Sequence, residues 1–425
     1  MSRNNRRRQK KTGNKPGQRI SAAANVDQES IVASLNQASS AINLGNTELA
    51  SGLISQILRT APNHPDALNL KAALLINAGD TLEAVRILTK ITNLIPDFAQ
   101  AHFNLGTALN AMDKPKRALK SFHRALEITP DYADAHYNLA NSLRQINQIN
   151  EAIIHYDKTL KIEPGHSAAA TNLASAHLRL GNPVEALAAC ELALLSEPGN
   201  RDAFAFTAIA ASETGDRQRA ANILNPDLLV RPRQFGSRPG FEGLPSFNSA
   251  LVEHVLAHPT LSEEPHNKAT RKGRQTESLA LGERGPVAEL QNMIGDALDE
   301  YLEAIRRDIK HPYPPLIPNL TRIDIWGTVL GAQGHQASHM HRAAWVSGVY
   351  YAKLPDMMRS ANSGNAGWIE FGRPPDEFNC KAVHDVRLIE PKEGLMVLFP
   401  SYLYHRTIPF ESDDLRLSIA FDLLA

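Results

Sequence analysis

Residues 101–130, AHFNLGTALNAMDKPKRALKSFHRALEITP, decide the fold of the first half of the chain. This segment has small residues at Gly106 and Ala118, a turn-forming residue at Asp113 and a proline at Pro130. The same residue types return every 34 residues on both sides of it. A fixed period of this length is the signature of a helical repeat architecture.

Four registers carry the period. Prolines form the first register, at Pro62, Pro96, Pro130, Pro164, Pro198 and Pro232. Alanines form the second, at Ala50, Ala84, Ala118, Ala152, Ala186 and Ala220. Turn-forming residues form the third, at Gly45, Gly79, Asp113, Asn147, Gly181 and Gly215. Small residues form the fourth, at Ala38, Ala72, Gly106, Ala140, Ala174 and Ala208.

The chemistry of each register explains the choice of residue. Small residues let two helices approach closely, and Gly, Asn or Asp tolerates the left-handed turn between them. Proline ends the second helix, because it cannot continue the hydrogen-bond ladder. With these registers, residues 31–234 resemble six tetratricopeptide repeats. The resemblance predicts an all-α tetratricopeptide superhelix with an extended concave groove.

Asparagine recurs in three first helices, at Asn104, Asn138 and Asn172 in AHFNLGTAL, AHYNLANSL and AATNLASAH. This resembles the asparagine ladder in the repeats of O-linked N-acetylglucosamine transferase, where such side chains hold a peptide backbone. An amide both donates and accepts, so it can bind a main chain without reading side chains. Alternatively, these residues solvate the surface or bond a neighbouring helix. Leu70 and Phe206 occupy the position elsewhere, so any ladder is short.

The composition narrows the class of protein. Forty-five basic residues balance 45 acidic ones, so the chain as a whole is not expected to bind a polyanion. Residues 1–28 form a basic tail without an acid before Asp27, and a disordered arm is favoured over a nucleic-acid contact. The sequence shows neither a secretory signal nor an apolar stretch of about 18 residues, so no membrane partner is expected. Only Cys190 and Cys380 are present, which argues against a disulfide framework and favours the cytoplasm.

The second half changes character after Pro232. Residues 235–319 are expected to be a linker and a helical lead-in, with helices at about 247–257 and 286–309. Residues 320–425 then alternate short β-branched or aromatic segments with turns, which predicts a β-sandwich or a jelly roll (double-stranded β-helix) with flanking helices. The expected strands lie in TRIDIWGTVL, WVSGVYYAKL, GWIEFG, AVHDVRLIE, GLMVLFP, YLYHRTIPF and LRLSIAFDLL.

Five residues of this domain suggest a metal site. His339 and His341 stand two apart beside a predicted strand, so both imidazoles can point the same way. His405 lies in a largely apolar run, and Arg416 and Ser418 are again two apart. An arginine on a buried strand usually needs an anion to pair with. A guanidinium beside a hydroxyl group is suited to binding a carboxylate. This order is expected for a metal site with a diacid cosubstrate.

The segments HMHRAAWVSGVYYAKLP, GWIEF, PKEGLMVLFPSYLYHRTIPF and RLSIAFDLL resemble the 2-oxoglutarate/Fe(II)-dependent oxygenases, specifically the branch found behind tetratricopeptide repeats in bacteria. The spacing is also similar to that of prolyl hydroxylases. The resemblance implies that His339 and His405 bind Fe(II) and that Arg416 holds the remote carboxylate of 2-oxoglutarate. It further implies that Ser418 and Tyr351 assist Arg416, and that a substrate C–H bond is hydroxylated as succinate is released.

One position departs from the usual triad of Fe(II) oxygenases, although the resemblance implies that histidine is common there in this branch. The usual triad is two histidines and one carboxylate, but His341 stands at the carboxylate position. A third neutral imidazole can bind Fe(II), although it leaves the site one negative charge short. Asp422, Asp385 and His335 are other candidate ligands, but the two aspartates lack motif spacing and His335 requires an extended chain.

Three function classes remain open. The favoured one is an oxygenase whose repeats bind a protein or peptide. The others are an adaptor with a catalytically silent cupin-like barrel, and a three-histidine dioxygenase without 2-oxoglutarate. Arg416 and Ser418 discriminate, because a silent barrel needs no buried anion clamp and the third class leaves Arg416 unexplained. Trp345 and Trp368 either line the substrate mouth or pack in the interior, with packing favoured.

Overall fold

A computed structural model describes most of the chain: residues 16–263, 268–282, 284–307, 310–359 and 364–425, with side chains from residue 28 onward. The chain divides into two compact units, Met1–Ile162 and Glu163–Ala425. Residues 1–15 of the predicted basic tail lie outside the described residues. Helix begins at Pro16, which corrects the prediction of disorder for residues 16–28. Alanine, the strongest helix former, recurs at residues 22–24 there.

The first unit consists of helices joined by short turns. They are α1 (Pro16–Asn43), α2 (Thr47–Thr60), α3 (Pro65–Asn77), α4 (Thr81–Leu94), α5 (Ala99–Ala111), α6 (Pro115–Ile128), α7 (Ala133–Gln145) and α8 (Ile149–Ile162). Asp113 and Asn147 have positive φ angles of 55° and 63°, as the turn register predicts. A Cβ atom at Gly106 would lie 2.6 Å from the Phe122 ring, so the small register allows α5 to contact α6.

The second unit begins with two more repeats and continues with single helices. Its helices are α9 (Ser167–Leu180), α10 (Pro183–Ser196), α11 (Arg201–Glu213), α12 (Arg217–Leu224), α13 (Pro226–Leu229), α14 (Leu244–Leu256) and α15 (Pro286–Arg306). The two helices predicted in the lead-in are thus confirmed as α14 and α15. Among the described residues, no helix is both long and apolar enough to cross a membrane.

The sixth repeat ends earlier than the proline register predicts. Helix α12 stops at Leu224, where Asn225 has a positive φ of 23° and Pro226 begins a new short helix. Pro232 does not end a helix but lies in the first strand of the sheet, opposite Val397. Proline at 226 has already interrupted the hydrogen-bond ladder, so the register that predicted Pro232 as the stop is wrong for this repeat.

The remainder of the second unit is antiparallel β-structure. The strands are β1 (Arg231–Gln234), β2 (Ser262–Glu263), β3 (Thr270–Gln275), β4 (Arg322–Gln336), β5 (Val346–Lys353), β6 (Ile369–Phe371), β7 (Arg387–Ile389), β8 (Leu395–Pro400), β9 (His405–Thr407) and β10 (Arg416–Leu424). Within the described residues they form a seven-stranded sheet, β1-β8-β5-β10-β4-β3-β2, and a three-stranded sheet, β7-β6-β9. All seven predicted strands are present. The jelly-roll topology itself stays a prediction.

Three strands were not predicted, and all come from the region before residue 320. β1, β2 and β3 extend both edges of the larger sheet. β3 has the sequence TRKGRQ, which does not alternate apolar and polar residues. Its polar composition is typical of a loop, so the sequence did not indicate a strand. The sheet therefore uses part of the segment that was predicted to be only a linker and helical lead-in.

The central strands set one face of the larger sheet. Their register places residues of β4, β10 and β5 side by side in two rows, Thr328–Ser418–Tyr351 and Asp324–Asp422–Ser347. Residues two apart on a strand share a face, so both rows lie on the face that carries Arg416.

Candidate metal and cosubstrate site

Three histidines converge: His339 and His341 lie in the loop between β4 and β5, and His405 begins β9. The ring centres of His339 and His405 are 4.3 Å apart, and His341 lies 5.1 Å from each of them. One nitrogen from each ring lies within 4.8 Å of the others. Backbone hydrogen bonds produce this convergence: His339 N–H donates to His405 O over 3.0 Å, and His405 N–H donates back over 2.9 Å.

The hydrogen bonds of the rings determine which nitrogen can bind a metal. Nδ1 of His339 donates to Ala337 O over 2.8 Å, and Nδ1 of His405 donates to Leu403 O over 3.0 Å. A carbonyl only accepts, so Nδ1 carries the proton in both rings and Nε2 keeps its lone pair. Nδ1 of His341 lies 2.7 Å from the Asp422 carboxylate, which favours the same tautomer.

Burial keeps the rings of His339 and His405 neutral. Burial, together with the neighbouring His341 ring, lowers the pKa of His339 to about 3. Burial also lowers the pKa of His405 well below its ordinary value, and the other two rings of the cluster add to the effect. A metal ligand has to be an unprotonated imidazole, so the site is prepared to bind a cation rather than protons.

One buried nitrogen of the cluster has the free lone pair that a metal ion would need. His341 Nε2 is buried and has no hydrogen-bond partner among the described residues. A buried polar atom without a partner is unusual in a folded protein and indicates a place for a ligand. Three imidazole nitrogens suit Fe(II) and other divalent transition metals, so the donor set fits Fe(II).

A second set of unpartnered groups surrounds Arg416. Its side chain is 1% exposed, and Nη1 donates to Ser418 Oγ over 3.2 Å. Its Nε atom and the Tyr351 hydroxyl are buried without a well-aligned hydrogen bond in the described part of the chain. The guanidinium carbon lies 5.0 Å from the centre of the Tyr351 ring. Burial lowers the pKa of Arg416, as expected for a cation that lacks an anionic partner.

Thr328 joins this group and was not identified from the sequence. It pairs with Ser418 across β4 and β10, and its hydroxyl is buried with no partner among the described residues. The anion cradle, defined as Arg416, Ser418, Tyr351 and Thr328, therefore presents one guanidinium and three hydroxyl groups. Such a set suits a carboxylate, which accepts hydrogen bonds only.

A cavity of about 590 Å³ opens beside the histidines. It is lined by His339, His341 and Trp326, among others. The Trp326 ring lies 5.6 Å from the His341 ring at an interplanar angle of 25°. Trp326 therefore has the position at the mouth for which the sequence suggested Trp345 or Trp368.

Helix α11 supports the loop that carries the histidines. The Arg201 guanidinium lies 4.6 Å above the Trp345 ring, and its Nε donates to Arg342 O over 2.8 Å. Arg342 pairs with Asp202 at 2.9 Å. A Cβ atom at Gly199 would lie 2.6 Å from the Trp345 ring. These contacts favour packing as the role of Trp345, and they hold the residue that follows His341.

The other candidate ligands lie elsewhere. His335 pairs with Arg271 in the sheet, and its Nδ1 bonds to Gln333 O over 3.1 Å. Asp385 lines a different cavity, beside Glu213. Asp422 reaches the site, but through the His341 ring rather than as a member of the three-nitrogen cluster.

The three asparagines have different surroundings. Asn104 is buried, and its Nδ2 donates to Asn69 Oδ1 in the preceding repeat over 2.9 Å. Asn138 is partly exposed, and its Nδ2 donates to Asp134 O over 3.0 Å. Asn172 is partly exposed. The contact of Asn104 is the repeat-to-repeat bond of the alternative interpretation, and a peptide-binding role for the three residues stays a prediction.

A second group of potential ligands consists of Glu213, Cys380 and His384. Its hydrogen-bonding capacity is largely used. The Glu213 carboxylate accepts from the backbone N–H groups of Lys381 over 2.7 Å and Ala382 over 3.0 Å, and from His384 Nε2 over 2.9 Å. Burial raises the pKa of Cys380 to about 12, so its sulfur stays a thiol. This group anchors the loop 380–384 to helix α11.

Comparisons with known families agree with this division of the chain. Residues 324–422 match the family described as "Putative 2OG-Fe(II) oxygenase". Residues 35–92, 109–174 and 147–209 match tetratricopeptide repeat families. No curated protein matches the chain in a sequence comparison.

Several solved structures resemble the repeats. A thermophilic TPR protein of Thermus thermophilus is 21% identical over 42% of this chain and 98% of its own, with a TM-score of 0.37. PilF of Pseudomonas aeruginosa is 19% identical over 47% of this chain and 91% of its own, with a TM-score of 0.43. MamA of Desulfovibrio magneticus is 21% identical over 40% of this chain and 95% of its own, with a TM-score of 0.35.

The 34-residue period and the family matches agree on the repeats, and the C-terminal match spans all three histidines and the anion cradle. The chain therefore consists of tetratricopeptide repeats followed by a C-terminal domain that matches the "Putative 2OG-Fe(II) oxygenase" family.

Proposed function

We propose that the C-terminal domain is a 2-oxoglutarate/Fe(II)-dependent oxygenase that hydroxylates a substrate captured or presented by the repeats. One observation carries the proposal. Arg416, with an unpartnered Nε, is fully enclosed on the sheet face whose far end meets the three histidines. A catalytically silent barrel has no need for such a buried cation, because an unanswered charge in the interior is strongly unfavourable.

The histidines would hold the metal through Nε2. His339 and His405 are positioned by the backbone pair that joins them, and His341 is positioned by Asp422 and by the Trp326 ring. When bound, Fe(II) and 2-oxoglutarate together activate O₂, so that 2-oxoglutarate is converted to succinate and CO₂ while a substrate C–H bond is hydroxylated.

The anion cradle would hold the carboxylate of 2-oxoglutarate remote from the metal. Arg416 supplies the charge and up to two parallel N–H donors, a geometry that lysine cannot reproduce. Ser418, Tyr351 and Thr328 supply hydroxyl donors from three adjacent strands. Each of these side chains is buried, so the cosubstrate is oriented away from solvent.

The cavity beside the histidines would receive the substrate. Trp326 and His341 share its wall, so a group placed there lies next to the metal ligands. We propose that the repeats bind a protein or peptide partner or substrate, with Asn104, Asn138 and Asn172 as the candidate contacts. This proposal includes a cytoplasmic location, no membrane partner and no nucleic-acid partner apart from a contact of the basic tail, as inferred from the sequence.

The test is anaerobic loading of the full chain with Fe(II), followed by addition of O₂ and 2-oxoglutarate and measurement of succinate. We expect slow succinate release without substrate and faster release with a peptide that the repeats retain. A protein that binds Fe(II) but consumes no 2-oxoglutarate would favour the three-histidine dioxygenase. A protein that binds neither would favour the adaptor.

A further inference from the structure

The three histidines differ in what accepts the hydrogen bond from Nδ1. His339 and His405 donate to backbone carbonyls, which are neutral. Nδ1 of His341 meets a carboxylate oxygen, Asp422 Oδ1, at 2.7 Å. The same oxygen accepts a second hydrogen bond, from Ser347 Oγ at 2.6 Å. His341 is thus the one ring of the three whose Nδ1 hydrogen-bonds to a charged group in the described structure.

This difference falls at the position where the site departs from the usual triad. The usual triad of Fe(II) oxygenases has a carboxylate ligand there, and this chain has His341. A carboxylate that accepts from the outer nitrogen of a ligating imidazole fixes its tautomer and raises its basicity. The negative charge that the ligand set lacks is therefore present on Asp422, which is hydrogen-bonded to the far side of the His341 ring.

We propose that Asp422 is a positioning residue that supplies to the metal, through the His341 ring, the negative charge that a carboxylate ligand supplies in the usual triad. The inference rests on the proposed function only in taking the metal to be bound by the three histidines. It explains why a third imidazole is tolerated at this position.

The surroundings of Asp422 support a fixed role. Its strand, β10, lies between β4 and β5, and the register places Ser347 directly beside it. Ser347 is fully buried, so its hydroxyl holds the carboxylate from the protein side. On the opposite side the His341 ring stacks on Trp326. The ring and the carboxylate are thus held in place before any metal arrives, as a preorganised ligand requires.

A purely structural role is the competing explanation, because Asp422 also ties the loop 338–345 to the sheet. Asp422→Asn separates the two. Asparagine keeps the shape and an acceptor oxygen for His341 and Ser347 but removes the charge. Asp324→Asn is the matched control: Asp324 is opposite Asp422 in β4 and lines the same cavity, but it is exposed and does not hold a histidine of the cluster.

The first experiment measures metal affinity in the full chain by anaerobic titration with Fe(II) and with Co(II). We expect Asp422→Asn to weaken binding by about 10- to 100-fold, the range known for outer-shell partners of metal ligands. The Co(II) visible spectrum should shift as well, and Asp324→Asn should change neither. Equal affinities for wild type and Asp422→Asn would overturn the inference.

The second experiment returns the charge to the inner position. In His341→Asp the carboxylate itself can reach the metal, so Asp422 has no ring to act through. Adding Asp422→Asn to His341→Asp should then leave metal affinity unchanged or improve it, because two adjacent carboxylates repel each other. A loss as large as in the wild-type background would show that Asp422 acts only on the fold.

The third readout needs no metal and no turnover. In metal-free protein, ¹⁵N NMR should show His341 protonated at Nδ1, and Asp422→Ala should give a mixture of tautomers. If the protein fails to convert 2-oxoglutarate but shows both the tautomer and the affinity effect, the proposed reaction is wrong and this inference stands. If turnover occurs and both effects are missing, the inference fails alone.

Discussion

The second unit contains two clusters of potential metal ligands, and they differ in where the lone pairs are used. In the histidine cluster, each Nδ1 bonds outward to the protein, and the Nε2 atom of His341 is buried without a partner in the described structure. In the Glu213 cluster, His384 Nε2 bonds directly to the carboxylate, and backbone amides occupy the remaining acceptor sites. We therefore expect a metal ion at the histidine cluster and none at the Glu213 cluster. The hydrogen bonds must leave the ligating atoms free.

The strongest test of this contrast removes one histidine from each cluster. We expect His405→Ala to weaken Fe(II) binding by more than about 100-fold, beyond the effect of outer-shell changes, because it deletes a ligand. His384→Ala should leave one Fe(II) bound per chain with unchanged affinity. Anaerobic titration with elemental analysis checks both. Two metals per wild-type chain, with one lost in His384→Ala, would contradict the distinction.

Arg416→Ala separates the cosubstrate from the metal. Metal affinity should be retained, while the 2-oxoglutarate concentration for half-maximal succinate release should rise by about 10- to 150-fold, since hydrogen bonds to charged groups contribute about 1.5–3 kcal/mol. Arg322→Ala, at an exposed position of the same sheet, is the control. An unchanged 2-oxoglutarate requirement in Arg416→Ala would remove Arg416 from the cradle.

Many residues of this candidate site could be predicted from the sequence because they follow regular spacings along the chain. The 34-residue period predicts the helix pairs, and alternation along a strand puts His339 with His341 and Arg416 with Ser418. The same alternation extends from Arg416 to Asp422, so the signal that Asp422 faces the site was present. Only its partner was missing, because His341 is 81 residues away.

What could not be predicted depends on long-range register. Thr328 joins the cradle only because β4 pairs with β10 so that Thr328 faces Ser418. A single sequence does not show that pairing. Strand β3 was missed because a strand near the edge of a sheet can be polar throughout, and Pro232 was assigned to a helix end because its register is regular. In each case tertiary pairing overrides the local pattern.

Glu213→Gln tests whether the second cluster is structural. Burial alone would raise the pKa of Glu213, but hydrogen bonds from Lys381 N–H, Ala382 N–H and His384 outweigh it and hold the pKa below its usual range. A lowered folded-state pKa means that the stabilisation is present above the unfolded value, about 4.3, and is lost as the pH falls through the folded value.

Chemical denaturation of Glu213→Gln should therefore show a loss of about 1–3 kcal/mol in the free energy of unfolding at pH 7, because two backbone N–H groups lose an anionic acceptor. The difference from wild type should shrink as the pH falls below the usual carboxyl range. Metal stoichiometry should be unchanged. A stability difference that is constant from pH 7 to pH 3 would show that the carboxylate charge is not what anchors the loop.

The smallest expected effect comes from Thr328→Val, in which stability and function should move in opposite directions. The Thr328 hydroxyl is buried without a partner in the described structure, so an isosteric methyl group should raise the free energy of unfolding by about 1 kcal/mol in the absence of 2-oxoglutarate. The 2-oxoglutarate requirement should rise about 2- to 10-fold, the range for one typical hydrogen bond, because Arg416, Ser418 and Tyr351 still hold the carboxylate. Thr207→Val is the control, because the Thr207 hydroxyl is equally buried but donates to Ala203 O over 2.6 Å. That variant should lose stability without changing the 2-oxoglutarate requirement. If Thr328→Val loses stability as well, the Thr328 hydroxyl already has a hydrogen-bond partner in the metal-free protein, and its assignment as a free donor for 2-oxoglutarate is wrong.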